Sequence, residues 1–283
     1  HLTEGALNGD QQEECDMMLL TAALWISTTL FGAVVEGERT GDIRVVPVKP
    51  TPEPDEVELV FSYPHEGEVK TENPVMLQMR LEAYPIGFYS DFPRGREIRN
   101  NEQGQSVHII IDNKPYLSIN EAIDDISENE EIDFDQTLEI KIPYKLSEGM
   151  HILRAFPVRS YGECLKGSKC FTAIYFYYGK EIPNKSYDLS KPYLTYNQPE
   201  GEYKGDQPIL LDFYLTNAQL SQDGYKVRLT IDGSDKRILT DWVPYYIYGL
   251  KKGSHTFKIE LLDPQGKTLA PLFDDLSRTI VVK

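Results

Sequence analysis

Three blocks of this sequence occur twice in the same order, and a chain that repeats itself in this way is held to two copies of one fold. Glu66-Gly67-Glu68 is followed by Pro74-Val75-Met76-Leu77, and Glu200-Gly201-Glu202 by Pro208-Ile209-Leu210-Leu211, with identical spacing to the proline. Val107-His108-Ile109-Ile110-Ile111-Asp112 matches Val227-Arg228-Leu229-Thr230-Ile231-Asp232. Leu146-Ser147-Glu148-Gly149-Met150-His151 matches Leu250-Lys251-Lys252-Gly253-Ser254-His255.

Each block reads as strand and turn. VHIIID and VRLTID end at Asn113-Lys114 and Gly233-Ser234, residue types that reverse the chain. Gly149 stands where a tight turn needs positive φ, and a period-two run follows it, with His151, Leu153 and Ala155 on one side. Strand-like runs recur about every ten residues, a spacing typical of antiparallel sandwiches. A chain with 18 Tyr and 11 Phe suits pleated, half-buried surfaces. The expectation is a mainly β chain with two tandem immunoglobulin-like β-sandwiches, residues 57–180 and 193–283, joined by a polar linker at 181–192. The first copy is the larger, with insertions at about 82–106 and 113–140, where loops on a rigid sandwich often carry function.

Ahead of the repeats lie an acidic tail (1–16), a hydrophobic segment (17–35) and a Pro-rich linker (36–56). Met17 to Val35 is 19 residues without a charge. As a helix it would reach roughly 28 Å, close to the hydrocarbon thickness of a bilayer. A transmembrane helix is therefore expected, with the lipid bilayer as a partner through residues 17–35. The acidic flank lacks the basic n-region of a secretory signal. Cys15 precedes the apolar run instead of following it, which excludes a lipoprotein reading. Pro47, Pro50, Pro52 and Pro54 favour an extended polyproline spacer that would lift the folded part off the membrane. Arg39, Arg44 and Lys49 follow the segment and pull toward a cytoplasmic orientation. The domain type and a Cys164–Cys170 disulfide across Leu-Lys-Gly-Ser-Lys pull outward. The expectation is an extracytoplasmic location, periplasmic or cell surface.

The runs Gly149–Glu163 and Leu194–Gly201, continuing through Pro208–Asn217, resemble a family of bacterial membrane-anchored or exported proteins. The resemblance covers about residues 57–270. It implies tandem immunoglobulin-like domains and an extracytoplasmic place, and it brings no activity, ligand or catalytic residue with it.

The net charge of −16 and pI of about 4.8 disfavour nucleic acid, whose phosphates need clustered Lys and Arg. Sequence motifs for a zincin, a nucleophile elbow, a phosphate loop and a dinucleotide fold are all missing. No cofactor is implied. His151 and His255 hold equivalent repeat positions and read as structural. The acidic stretch around Asp124, Asp125, Glu128 and Asp133 is a weak Ca²⁺ candidate, lacking the glycine turn and spacing of an EF-hand. The first insertion holds Tyr84, Phe88, Tyr89 and Phe92 beside Arg94, Arg96 and Arg99, the residue types enriched at interface hot spots. These are the partner-binding candidates. The expected function is a non-catalytic, membrane-anchored accessory subunit that binds and stabilises a larger membrane protein complex. An adhesion or carbohydrate-binding surface protein is the alternative, and a hydrolase with scattered carboxylates a third.

Overall fold

The computed structural model describes residues 35–36, 41–121, 135–181, 187–272 and 276–283. Two short strands open it, β1 (Val35–Glu36) and β2 (Arg44–Pro47). Eight strands of the first repeat follow: β3 (Glu58–Tyr63), β4 (Val69–Lys70), β5 (Met76–Glu82), β6 (Ser106–Ile111), β7 (Leu117–Ile119), β8 (Gln136–Lys141), β9 (Gly149–Val158) and β10 (Thr172–Tyr178). The second repeat supplies β11 (Tyr193–Gln198), β12 (Glu202–Tyr203), β13 (Ile209–Thr216), β14 (Lys226–Ile231), β15 (Asp235–Leu239), β16 (Tyr245–Tyr248), β17 (Gly253–Leu262) and β18 (Ser277–Val282). One short helix, α1 (Arg94–Glu97), lies in the first insertion.

The sheet orders are β3-β5-β8 with β4-β10-β9-β6-β7, and β11-β13-β16 with β12-β18-β17-β14-β15. The two lists correspond strand for strand, including the parallel pairs β4–β10 and β12–β18. A three-stranded sheet facing a five-stranded one in this order is the immunoglobulin-like sandwich. Each has its own core. Leu59, Leu77, Met79, Val107, Ile109 and Phe176 are among the residues closing the first. Leu211, Phe213, Val227, Leu229, Phe257 and Ile280 are among those closing the second.

The repeated Asp and His residues form the same staple in both sandwiches. His151 Nδ1 bonds Asp112 Oδ2 at 2.9 Å and Nε2 bonds the Ser147 carbonyl at 2.8 Å. His255 does the same with Asp232 at 2.7 Å and the Lys251 carbonyl at 2.7 Å. The other carboxylate oxygen accepts the backbone N–H of Ile152 or Thr256. Both aspartates sit at positive φ, 57° and 50°, a conformation that Asp tolerates better than bulky residues. The staple thus holds a turn to the strand that follows, satisfying every polar atom it buries.

The described part of the 36–56 linker, residues 36 and 41–56, does not form a free spacer. Strand β2 pairs antiparallel with β16, extending the three-stranded sheet of the second sandwich, and β1 pairs with β15 on its other sheet. The proline-flanked run then crosses to the first sandwich. Its carbonyls, unused in a polyproline backbone, are taken by guanidinium groups, Lys49 O by Arg94 and Pro52 O by Arg159. The remainder of the apolar segment, residues 17–34, lies outside the described residues, as do Cys15 and the Ca²⁺ candidates Asp124, Asp125, Glu128 and Asp133. Among the described residues no helix is long and apolar enough to cross a membrane.

The sandwiches pack sheet against sheet. The outer face of β6 and β9 meets the outer face of β11, β13 and β16. Ile110, Phe156 and Val158 from the first join Cys164 and Tyr214 in one apolar cluster. Ile98 and Tyr161 join Leu210 and Tyr246 in a second. Every residue of β6 and β9 is buried as a result, on both faces of the sheet.

Candidate functional site

Polar groups thread this seam, and the buried carboxylates Glu163 and Asp212 each face a cation. Arg94, on α1, forms an ion pair with Glu163 and donates to the Tyr246 hydroxyl. Glu163 also accepts the Thr51 backbone N–H at 3.0 Å and its hydroxyl at 2.6 Å. Thr51 supplies that N–H because it stands between two prolines that have none. A second knot centres on Asp212, which is fully buried. It accepts from Lys166 Nζ at 2.7 Å, Asn197 Nδ2 at 2.7 Å and the Cys164 N–H at 3.0 Å. Burial opposes the Lys166 charge, but the Asp212 carboxylate overrides it and holds the ammonium pKa above its usual value. Arg154 bonds Asn113 Oδ1 at 2.6 Å and Thr195 Oγ1 at 3.2 Å.

The structure divides the partner-binding candidates. Tyr84 is a core residue. Phe92 packs against the second seam cluster under the Arg159 guanidinium. Arg94 is consumed by Glu163, and Arg99 donates to Glu202 O at 2.8 Å while lying over Tyr203. Phe92, Arg94 and Arg99 serve the junction within the chain, because the insertion that carries them is the piece that reaches the second sandwich. Phe88 and Tyr89 remain outside, 58% and 60% exposed, with Arg96 exposed nearby. Their loop is fastened at the base: Gly87 N–H donates to Gln105 O and Gln105 N–H to Phe88 O, at 2.8 and 2.7 Å.

Cys164 and Cys170 are free buried thiols instead of the expected disulfide. They serve different parts of the structure. Cys164 lies in the seam cluster with its sulfur 3.4 Å from Lys166 Nζ, whereas Cys170 lies in the first core with its sulfur facing Val57 O at 3.8 Å. Burial pushes the Cys170 thiol up to about 11, and burial with the Asp212 charge raises Cys164 well above normal. Neither is a reactive thiolate at neutral pH.

Beside the seam opens a polar cavity of about 540 Å³. Its walls include Ser106, His108, Tyr116 and Ser160 of the first sandwich and Gln198 of the second, with Gln103 at the exposed rim. His108 is 5% exposed, stacks on Tyr116 with ring centroids 3.6 Å apart, and bonds Asn197 Oδ1 through Nδ1 at 2.8 Å. Burial lowers its pKa to about 4, so the ring is neutral at pH 7. Glu102 is the one carboxylate among the lining residues, so the cavity carries no pair of carboxylates. Among the described residues, no group of three His, Cys, Asp or Glu side chains could hold a metal ion. Sequence reasoning missed this cavity because Gln198 and His108 are brought together by the seam, which local spacing does not encode.

No family model and no curated protein matches the sequence. Similarity to solved structures is low. The fibronectin(III)-like modules of Clostridium thermocellum CbhA are 14% identical, with 80% of this chain and 94% of that one covered and a TM-score of 0.26. A tetra-tandem repeat from the extending region of a large adhesion protein is 14% identical, covering 79% and 48%, with a TM-score of 0.22. Bacteroides ovatus SGBP-B in complex with a mixed-linkage heptasaccharide is 14% identical, covering 86% and 48%, with a TM-score of 0.18. The matches to the latter two span about half the length of those chains. At these scores the likenesses carry no functional argument; the immunoglobulin-like assignment rests on the strand orders.

Proposed function

We propose that this chain is a non-catalytic binding module, held outside the membrane by the apolar segment ahead of β1, residues 17–34, that acts as an accessory subunit of a membrane protein complex. The observation that carries the reading is the Phe88–Tyr89 pair. Two adjacent large aromatics are left in solvent on a loop whose base is hydrogen-bonded to Gln105, the residue before β6, and whose Ser90 N–H donates to Ser160 Oγ. Aromatic anchors of this kind are the residues that dominate interface energetics. A fastened loop loses little conformational freedom on docking, which favours affinity. The buried seam supports the reading from the other side, since it makes two sandwiches one stiff mount for the loop.

The test is gentle-detergent extraction from native membranes with size analysis of the wild type and a Phe88→Ala/Tyr89→Ala double variant. The wild type is expected in an assembly of fixed composition, and the double variant alone in its micelle. A wild type that migrates alone contradicts the subunit role. A double variant that stays in the assembly contradicts the loop as its docking site, and recovery in the soluble fraction contradicts the anchor.

A further inference from the structure

We propose that the cavity beside His108 is a binding site for a neutral polyhydroxylated ligand, a sugar residue. The inference stands independently of the docking loop. It begins with the tautomer of a buried imidazole. Asn197 Nδ2 donates to two pure acceptors, Gly162 O at 2.8 Å and Asp212 Oδ2 at 2.7 Å. The amide orientation is therefore fixed, and Asn197 Oδ1, which faces His108, can only accept. His108 Nδ1 must carry the proton. The ring is neutral, so Nε2 is left with a lone pair. No hydrogen bond is made to Nε2 from any described residue, and the ring lines the cavity. Nε2 is therefore an acceptor open to the cavity, free to take a hydrogen bond from a ligand hydroxyl that displaces solvent.

The other polar groups of the cavity complete a set that suits hydroxyls. Ser160 Oγ accepts from Ser90 N–H at 3.0 Å and keeps its own proton to donate. The Tyr116 hydroxyl accepts from Gln198 Nε2 at 3.2 Å and likewise keeps a proton. Gln103 presents both halves of an amide that makes no side-chain hydrogen bond to any described residue. A hydroxyl group both donates and accepts, so a ligand rich in them matches an acceptor at His108 Nε2 and donors at the two protein hydroxyls. An anion is the poorer match. It would meet the Nε2 lone pair at the His108 end; Arg99 and Arg159 each spend one N–H on a backbone carbonyl, of Glu202 and Pro52, and their remaining charge is the competing draw that the acidic glycans of the test measure. The cavity volume of about 540 Å³ falls within the range of small-ligand sites.

The experiment is binding of the detergent-solubilised full chain to an array of neutral and acidic glycans, followed by titration with free glucose, galactose, mannose and N-acetylglucosamine. Two variants accompany it. His108→Phe keeps a flat ring on Tyr116 and removes the acceptor, and is expected to weaken binding roughly tenfold or more. Gln103→Ala alters only an exposed rim side chain and is expected to weaken it roughly threefold to tenfold. If His108→Phe fails to fold, Gln103→Ala decides. Competition by a free monosaccharide supports a subsite for one sugar unit, and binding of polysaccharide alone supports a site for a chain segment. No binding of any neutral glycan, preference for sulfated or phosphorylated ones, or binding that the folded variants leave unchanged would overturn the proposal.

Discussion

The two sandwiches are copies that differ in which face they hide. At matched positions the first places His108 and Ile110 where the second has Arg228 and Thr230, and Arg154 and Phe156 where the second has Lys258 and Glu260. The first set is buried in the seam, while Arg228, Glu260 and Lys258 form ion pairs at the surface. The trade runs the other way on the smaller sheets. Leu210, Asp212 and Tyr214 of the second sandwich face the seam, and their counterparts Met76, Gln78 and Arg80 do not. One fold thus has two exteriors, and the exchange of solvated charge for apolar and paired polar groups converts two beads into one body. The second difference is that β2 and β1 extend both sheets of the second sandwich only. The chain therefore visits the second sandwich before it builds the first.

The largest effect expected from disturbing this comparison is at Arg94. Arg94→Met leaves the Glu163 carboxylate buried with Thr51 as its remaining hydrogen-bond partner and is expected to cost about 3–5 kcal/mol. Denaturant unfolding measures it. Replacement of Arg228, in the solvent-facing pair of the second sandwich, is expected to cost about 1 kcal/mol or less. Equal costs would contradict the division between seam and surface.

The His–Asp staples sharpen the comparison, because they share geometry and differ in exposure. His151→Ala is expected to cost about 2–3 kcal/mol, and His255→Ala about 1 kcal/mol, since water can reach the Asp232 carboxylate in the second. The staples also set a pH dependence. Burial alone would lower both imidazole pKa values, but the aspartate hydrogen bond and the backbone carbonyl overcome it, and both stand above the ordinary 6.5. A folded-state pKa above the unfolded one gives stability that is fully present below about pH 6.5 and is lost as pH rises through the folded value. Melting curves across neutral to alkaline pH are expected to show that loss in the wild type and a smaller loss in a His151→Gln/His255→Gln double variant. An identical slope in both would contradict the assignment.

Much of the fold is readable without coordinates. The repeated turn-and-strand blocks mark equivalent strands, and the staple residues are present twice at the same spacing. The seam leaves a fainter trace. HIII and ILRAFPV are apolar at both parities, the sign of a strand covered on both faces, whereas KVRLTI alternates. Read that way, β6 and β9 announce a second covering layer, though not which one. The identity of that layer lies in pairings far apart in sequence, such as Arg94 with Tyr246 and Thr51 with Glu163. Arg94 looks like a surface cation in its Arg-Gly-Arg-Glu setting, and only the approach of the second sandwich makes it a buried clamp. The proline-rich run misleads for a related reason: its composition suits a spacer, but β2 pairs with β16, and the Val48 and Thr51 N–H groups fasten it to the Pro244 carbonyl and the Glu163 carboxylate.

The central claim is that the seam makes the two sandwiches one cooperative body, and differential scanning calorimetry of the full chain tests it most directly. The account predicts a single transition for the described body, with calorimetric and van't Hoff enthalpies equal. Two resolved transitions, each the size of one sandwich, would contradict it.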